Sequence, residues 1–212
     1  MGHTMHGKGS YARALAAMRR HAVNQDGLAA VEFAMLLPIL ITLFFGVVET
    51  SMALLCRADV SIMASTTADL VSQASTLSNA DLQNVYDAAG TVMYPYYDAS
   101  KSGSAKPTIR LTSVIDDGSG ATGQNHMTGK VGWTCAQSGS GALTPATRAL
   151  NSTVTLPQPI MTAGGSVIIA EIAYNYSSPT TKVIAPTINF TNNFYTKPRR
   201  VLQIGAPSGG CP

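Results

Sequence analysis

From Leu28 to Val48 the chain runs for 21 residues with a single charged side chain, Glu32. As a helix rising 1.5 Å per residue, such a run covers about 30 Å, the thickness of a bilayer's hydrocarbon core. No other stretch constrains the fold as strongly, because an apolar segment this long must lie among lipids or other apolar helices. The lone carboxylate is expensive there, by roughly 2–4 kcal/mol at a central position, so it calls for a partner or a function.

The net charge of +3 belongs to residues 1–27, where Lys8, Arg13, Arg19 and Arg20 stand against Asp26 alone. The remaining 185 residues carry ten Lys or Arg and ten Asp or Glu. Basic residues before the apolar run and neutrality after it place the leader inside and the C-terminus outside. The scattered basic residues of the folded part exclude a nucleic-acid-binding surface, which needs them clustered. The exported part then lies in an oxidising compartment. Cys135 and Cys211 both fall within it, and a disulfide between them, stapling the C-terminal end to a strand, is the preferred reading. Two buried thiols are the alternative. Cys56, near the outer end of the membrane segment, is expected to be unpaired.

A secretory signal is cut after its apolar stretch, but no A-x-A site follows this one. Leu54-Leu55-Cys56 lacks the small residue that a lipoprotein site needs before its cysteine. This leaves an uncleaved signal anchor or a cut before the run, after Gly27. Glycine lets a peptide enter a protease site extended and without side-chain obstruction. Cutting there creates an α-amine on Leu28. A carboxylate that is costly alone becomes tolerable when it is paired with such an amine.

Gly27-Leu28-Ala29-Ala30-Val31-Glu32-Phe33 resembles the processing site of type IVb pilins of the tight-adherence (Tad/Flp) class. The stretch as far as Phe45-Gly46-Val47-Val48-Glu49 resembles the start of TadE-like minor pilins, or pseudopilins. The likeness is strong over residues 20–55 and weaker at Gly164–Tyr174. It implies a prepilin peptidase that cuts after Gly27, with Leu28 as first mature residue, Glu32 as fifth, and Phe33 where Tyr is common. Leu28 departs from the Phe of type IVa pilins and type II secretion pseudopilins, which favours the Tad class. The partners implied are the peptidase, a major pilin, other minor pilins, the inner-membrane assembly platform, and the lipid bilayer before assembly. The role implied is pilus assembly and surface adhesion. The location implied is single-pass in the inner membrane with a periplasmic C-terminal domain, then the pilus at the cell surface. Glu49 is either a second contact between subunits or an interfacial carboxylate reaching water. The competing reading is a membrane-anchored extracellular binding module whose signal-anchor helix stays uncleaved.

The pattern predicts an α+β fold in four parts: a cleaved basic leader at 1–27, a transmembrane helix at 28–50, its extension at 51–78, and an extracytoplasmic domain at 79–212. Pro38 can kink the membrane helix. Cys56, Val60, Met63, Thr67, Leu70, Ala74 and Leu77 alternate by four and three, one stripe of a helix continuing to about Leu77, facing the globular part or neighbouring helices. Ser78-Asn79-Ala80-Asp81 reads as a capping-box variant that starts a second helix to about Met93. The cluster Tyr94-Pro95-Tyr96-Tyr97 ends it, with helix-end packing favoured over a ligand patch.

Strands are expected at Pro107–Ile115 and Lys130–Ala136 as a hairpin, the second with Val131, Trp133 and Cys135 on one face. Residues 137–165 read as loop, Ser166–Tyr176 as the strongest and a central strand, Val183–Phe194 as ambiguous, and Arg199–Ile204 as the last strand.

The residues offer no catalytic set, no metal set and no cofactor motif: H-E-x-x-H, G-x-S-x-G, paired CxxC and P-loop are all missing. His126 reads as a solvated loop residue. Asp116-Asp117-Gly118-Ser119-Gly120 reads as a plain turn, because the glutamate at the twelfth position of a calcium loop is lacking. The sequons at Asn151, Asn175 and Asn189 are discounted as chance in a chain rich in Asn, Ser and Thr. Lys197-Pro198-Arg199-Arg200 reads as solvated edge charge.

Overall fold

The computed structural model describes residues 26–120, 124–143, 147–178 and 187–211. The leader up to residue 25 and the start of the ambiguous stretch at 183–186 lie outside the described residues. The elements are α1 (Asp26–Ser72), α2 (Asn79–Thr91), β1 (Thr108–Asp116), β2 (Thr128–Gln137), β3 (Thr153–Thr155), β4 (Ser166–Tyr176) and β5 (Ile188–Thr196). The chain divides into two units, Met1–Val48 and Glu49–Pro212. The architecture is α+β, as the sequence predicts, and the second unit holds its own hydrophobic core.

Within that second unit, α1 buries Cys56, Val60, Met63, Ala64, Thr67, Ala68 and Val71. The predicted stripe fails at Leu70, which is 36% exposed. A strict seven-residue repeat drifts by about 20° per heptad on a straight helix, so a 4–3 alternation walks off the buried face and Val71 takes the place given to Leu70. The helix also stops at Ser72, five residues before the predicted end. The backbone N–H of Arg199 donates to the Ser72 carbonyl at 2.8 Å, and the Arg199 guanidinium pairs with Asp69. A remote segment thus takes up the helix end, while Lys197, Arg199 and Arg200 stay exposed, as the sequence reading of solvated charge expects.

Ser78 then caps α2: its hydroxyl accepts the Asp81 N–H at 3.2 Å while Asp81 accepts the Ser78 N–H at 2.9 Å. Leu82, Tyr86 and Ala89 turn inward beside α1.

The sheet order is β3-β2-β1-β4-β5, and every pairing is antiparallel. Thus β1 is the middle strand, and β4 is flanked on both sides. One face, with Ile109, Leu111, Trp133, Ile168 and Ile172, packs against the two helices. The other face carries a smaller core of Val114, Val167 and Ile169, covered by Leu156 and Met161 from the loop-rich segment. Both faces being covered explains why β4 reads as a continuous apolar run.

The hairpin of β1 and β2 forms where expected, but its register shifts: Ser113 opposes Trp133 and Val114 opposes Val131, leaving Gly132 as a bulge. A bulge flips the faces beyond it. Val131 therefore lies with Val114 and not with Trp133 and Cys135, against the sequence reading. A Cβ on Gly132 would stand 2.4 Å from Ile115 Cδ1, so only glycine passes there without displacement.

The segment 137–165 is mostly loop but contributes the edge strand β3, paired with Thr128–Lys130. Arg199–Ile204 is not a strand. Its backbone bonds go to three different places: Arg199 to Ser72, Leu202 to the Ser166 N–H at 3.0 Å, and Ile204 to the Trp133 indole at 2.9 Å. The last strand is β5, which precedes it.

Candidate processing and assembly segment

Gly27 and Leu28 lie in the first turn of α1, and the space where a Gly27 Cβ would sit is empty to 4 Å. Leu28 is 60% and Phe33 59% exposed, and Glu32 is exposed as well. All four predicted processing residues are therefore on open helix surface. The peptide is helical here, so an extended fit to a protease requires the first turn to unwind, which helix ends do readily. Leu28 and Glu32 are four residues apart and share a face. The unsatisfied N–H groups of the first turn favour a carboxylate nearby and disfavour a new ammonium. A cut after Gly27 would thus create a cation that needs the anion one turn away, on the same chain or on a neighbour.

The apolar surface of α1 is open over its most hydrophobic 18-residue stretch, none of which is buried, and Met35, Ile39, Leu43 and Val47 are all exposed. A helix resting on a water-soluble core would instead show one apolar stripe. The segment is long and apolar enough to cross a membrane. The helix continues through Pro38, which cannot donate to the carbonyl of Ala34. Thr42 Oγ1 donates to the Pro38 carbonyl at 2.8 Å, so this hydroxyl is satisfied within the helix and needs no water.

Glu49 is buried inside the second unit at 2% exposure, not at the surface that the sequence suggests. Burial pushes the Tyr176 phenol upward. Cys135 and Cys211 are joined by a disulfide with Cα atoms 5.3 Å apart, tying the C-terminal end to β2. Cys56 is free and buried.

Two polar clusters escape the sequence reading. His126, expected in solvent, is 5% exposed, and its Nδ1 lies 2.6 Å from Asp116 Oδ1. Asp116 also accepts the N–H groups of Gly164 at 2.7 Å and Gly118 at 3.3 Å. Burial raises the Asp116 carboxyl, but these bonds together with His126 outweigh it and hold the group below its usual range. A Cβ on Gly120 would stand 2.0 Å from His126 Cδ2, so the glycine in this turn makes room for the ring. The second cluster joins Arg110 and Arg148 to Glu171. Its only signal in the sequence is one charge of opposite sign within each of two apolar strands. Among the described residues no group of His, Cys, Asp or Glu is arranged to hold a metal ion.

Tyr96 and Tyr174 show what the aromatic cluster does. Tyr96 donates its hydroxyl to the Met52 carbonyl at 2.9 Å, and Tyr174 donates to the Tyr96 carbonyl at 2.8 Å. The turn after α2 is thereby fixed to α1 and to β4, which is the helix-end packing that the sequence favours.

No curated protein and no solved structure matches this chain. Residues 27–69 match the family described as TadE-like protein. The match begins at Gly27, runs the length of the exposed apolar helix, and ends where α1 is packed into the second unit. From Gly27 to Asp69 the chain is thus similar to TadE-like proteins.

Proposed function

We propose that this chain is a minor pilin, or pseudopilin, of a Tad (type IVb) pilus. The observation that carries the reading is a coincidence of position: the TadE-like match starts at the glycine that ends the basic leader and covers the exposed apolar stretch of α1. In this reading the precursor sits once across the inner membrane, with its leader in the cytoplasm and the unit Glu49–Pro212 in the periplasm. A prepilin peptidase removes residues 1–27. The α-amine of Leu28 pairs with Glu32 of a neighbouring subunit, and the apolar helix exchanges lipid for the helices of the major pilin and other minor pilins on the assembly platform. The second unit, held by its own core and the Cys135–Cys211 disulfide, remains exposed on the pilus, where it contributes to surface adhesion.

N-terminal sequencing of the exported protein tests this directly. The expected first residue is Leu28. A chain that still begins at Met1 overturns the processing step and leaves a membrane-anchored binding module with an uncleaved helix.

A further inference from the structure

The second unit opens a groove of about 480 Å³ where the end of α2 and the turn after it meet the start of β1. That volume lies within the roughly 300–1,000 Å³ of small-molecule sites, which are mostly apolar with a few polar groups placed around them. Tyr86, Tyr94 and Tyr97 line it, and the Tyr97 ring lies against Gly90, where a Cβ would come within 3.1 Å of Cε1. Asp87, Lys106 and Gln137 complete the lining.

Some of the polar groups here keep hydrogen-bonding capacity that the fold does not use. Among the described residues Asp87 gives one oxygen to Gln83 at 3.1 Å, and the Lys106 ammonium and Gln137 amide engage no side chain. Tyr86 is only 1% exposed, and its hydroxyl has no hydrogen-bond partner. Asp98, also in the lining, is already satisfied by the Ser100 N–H and hydroxyl and by Lys101 at 3.5 Å.

These features narrow the ligand. Asp87 and Lys106 oppose each other in charge, so the groove selects neither an anion nor a cation. Donors and acceptors are mixed, and the walls are aromatic. A hydroxyl both donates and accepts, and an apolar ring face packs on a tyrosine ring. We propose that this groove binds a short neutral saccharide, its ring faces against Tyr94 and Tyr97 and its hydroxyls on Asp87, Lys106 and Gln137. The proposal rests on the groove alone and stands whether or not the N-terminus is processed.

Saturation-transfer NMR on the full-length chain in lipid nanodiscs, free of sugar-based detergents, tests it. The probes are maltotriose, cellotriose and triacetylchitotriose at millimolar concentration. Transfer to the ring C–H protons of at least one is expected. Tyr94→Ala removes a side chain that is 67% exposed and leaves the core intact, and it should weaken binding about tenfold. Asp87→Asn, which keeps the shape of the site, should weaken it as well. Absence of transfer from all three probes to the folded wild-type chain overturns the proposal. So does equal binding by Tyr94→Ala, or stronger binding of choline or a uronic acid than of any neutral probe.

Discussion

Arg110 on β1 and Glu171 on β4 stand directly opposite each other, with Nε 2.6 Å from Oε2 and both side chains buried. Arg148, from the loop before β3, reaches the other carboxylate oxygen at 2.8 Å. The triad lies on the sheet face away from the helices, since Glu171 falls in step with Val167 and Ile169 of the smaller core, every second residue of β4. It fastens the covering loop to the sheet. Burial alone raises the Glu171 carboxyl, but the hydrogen bonds and charges of the two arginines outweigh it and hold the group below its usual range.

Breaking a buried pair from one side leaves an uncompensated charge, which costs about 3–5 kcal/mol. Glu171→Gln is therefore expected to destabilise the second unit by that amount, and Arg148→Ala, at a partly exposed position, by less. Trp133 is the only tryptophan and lies in the core, so its fluorescence reports denaturant unfolding of this unit. A wild-type midpoint for Glu171→Gln would remove the triad from the account of stability.

Acid should weaken the same unit. Glu171 and Asp116 are both held below their ordinary values of 4.5 and 3.8. A depressed carboxyl contributes stability that is complete above its unfolded pKa and is lost as pH falls through the folded one. The unfolding midpoint is thus expected to fall steadily as pH drops below 4.5. In Glu171→Gln the fall should be shallower. A midpoint that rises on acidification would mean that neither carboxylate is stabilised by its partners in the fold.

The disulfide spans 76 residues, and its removal should cost about 2–5 kcal/mol. Alkylation of the unfolded chain without reductant is expected to label one thiol, Cys56, and after reduction to label three. Three labels on the unreduced chain would show that the bond does not form.

Gly27→Val should accumulate a slower-migrating precursor, because the emptiness around Gly27 leaves protease fit as the main role of its small size. Glu32→Ala should be processed but fail to enter the filament, read by immunoblot of sheared pili. Processing of Gly27→Val at the normal rate, or full incorporation of Glu32→Ala, would dismiss the respective roles.

The sequence by itself determined what neighbouring residues decide. The apolar run imposes α1, Ser78 and Asp81 start α2, alternation marks β1 and β2, and a continuous apolar run marks β4. Each rests on periodicity or on hydrogen bonds within a few residues. Only the tertiary structure decided where α1 ends, because Arg199 takes the Ser72 carbonyl from far along the chain. It alone turned Val131 over through the Gly132 bulge and drew His126 into a pair with Asp116. It alone set Glu171 between two arginines. Those outcomes depend on partners remote in sequence, and no local pattern records which remote group arrives to satisfy a carbonyl, an imidazole or a buried charge.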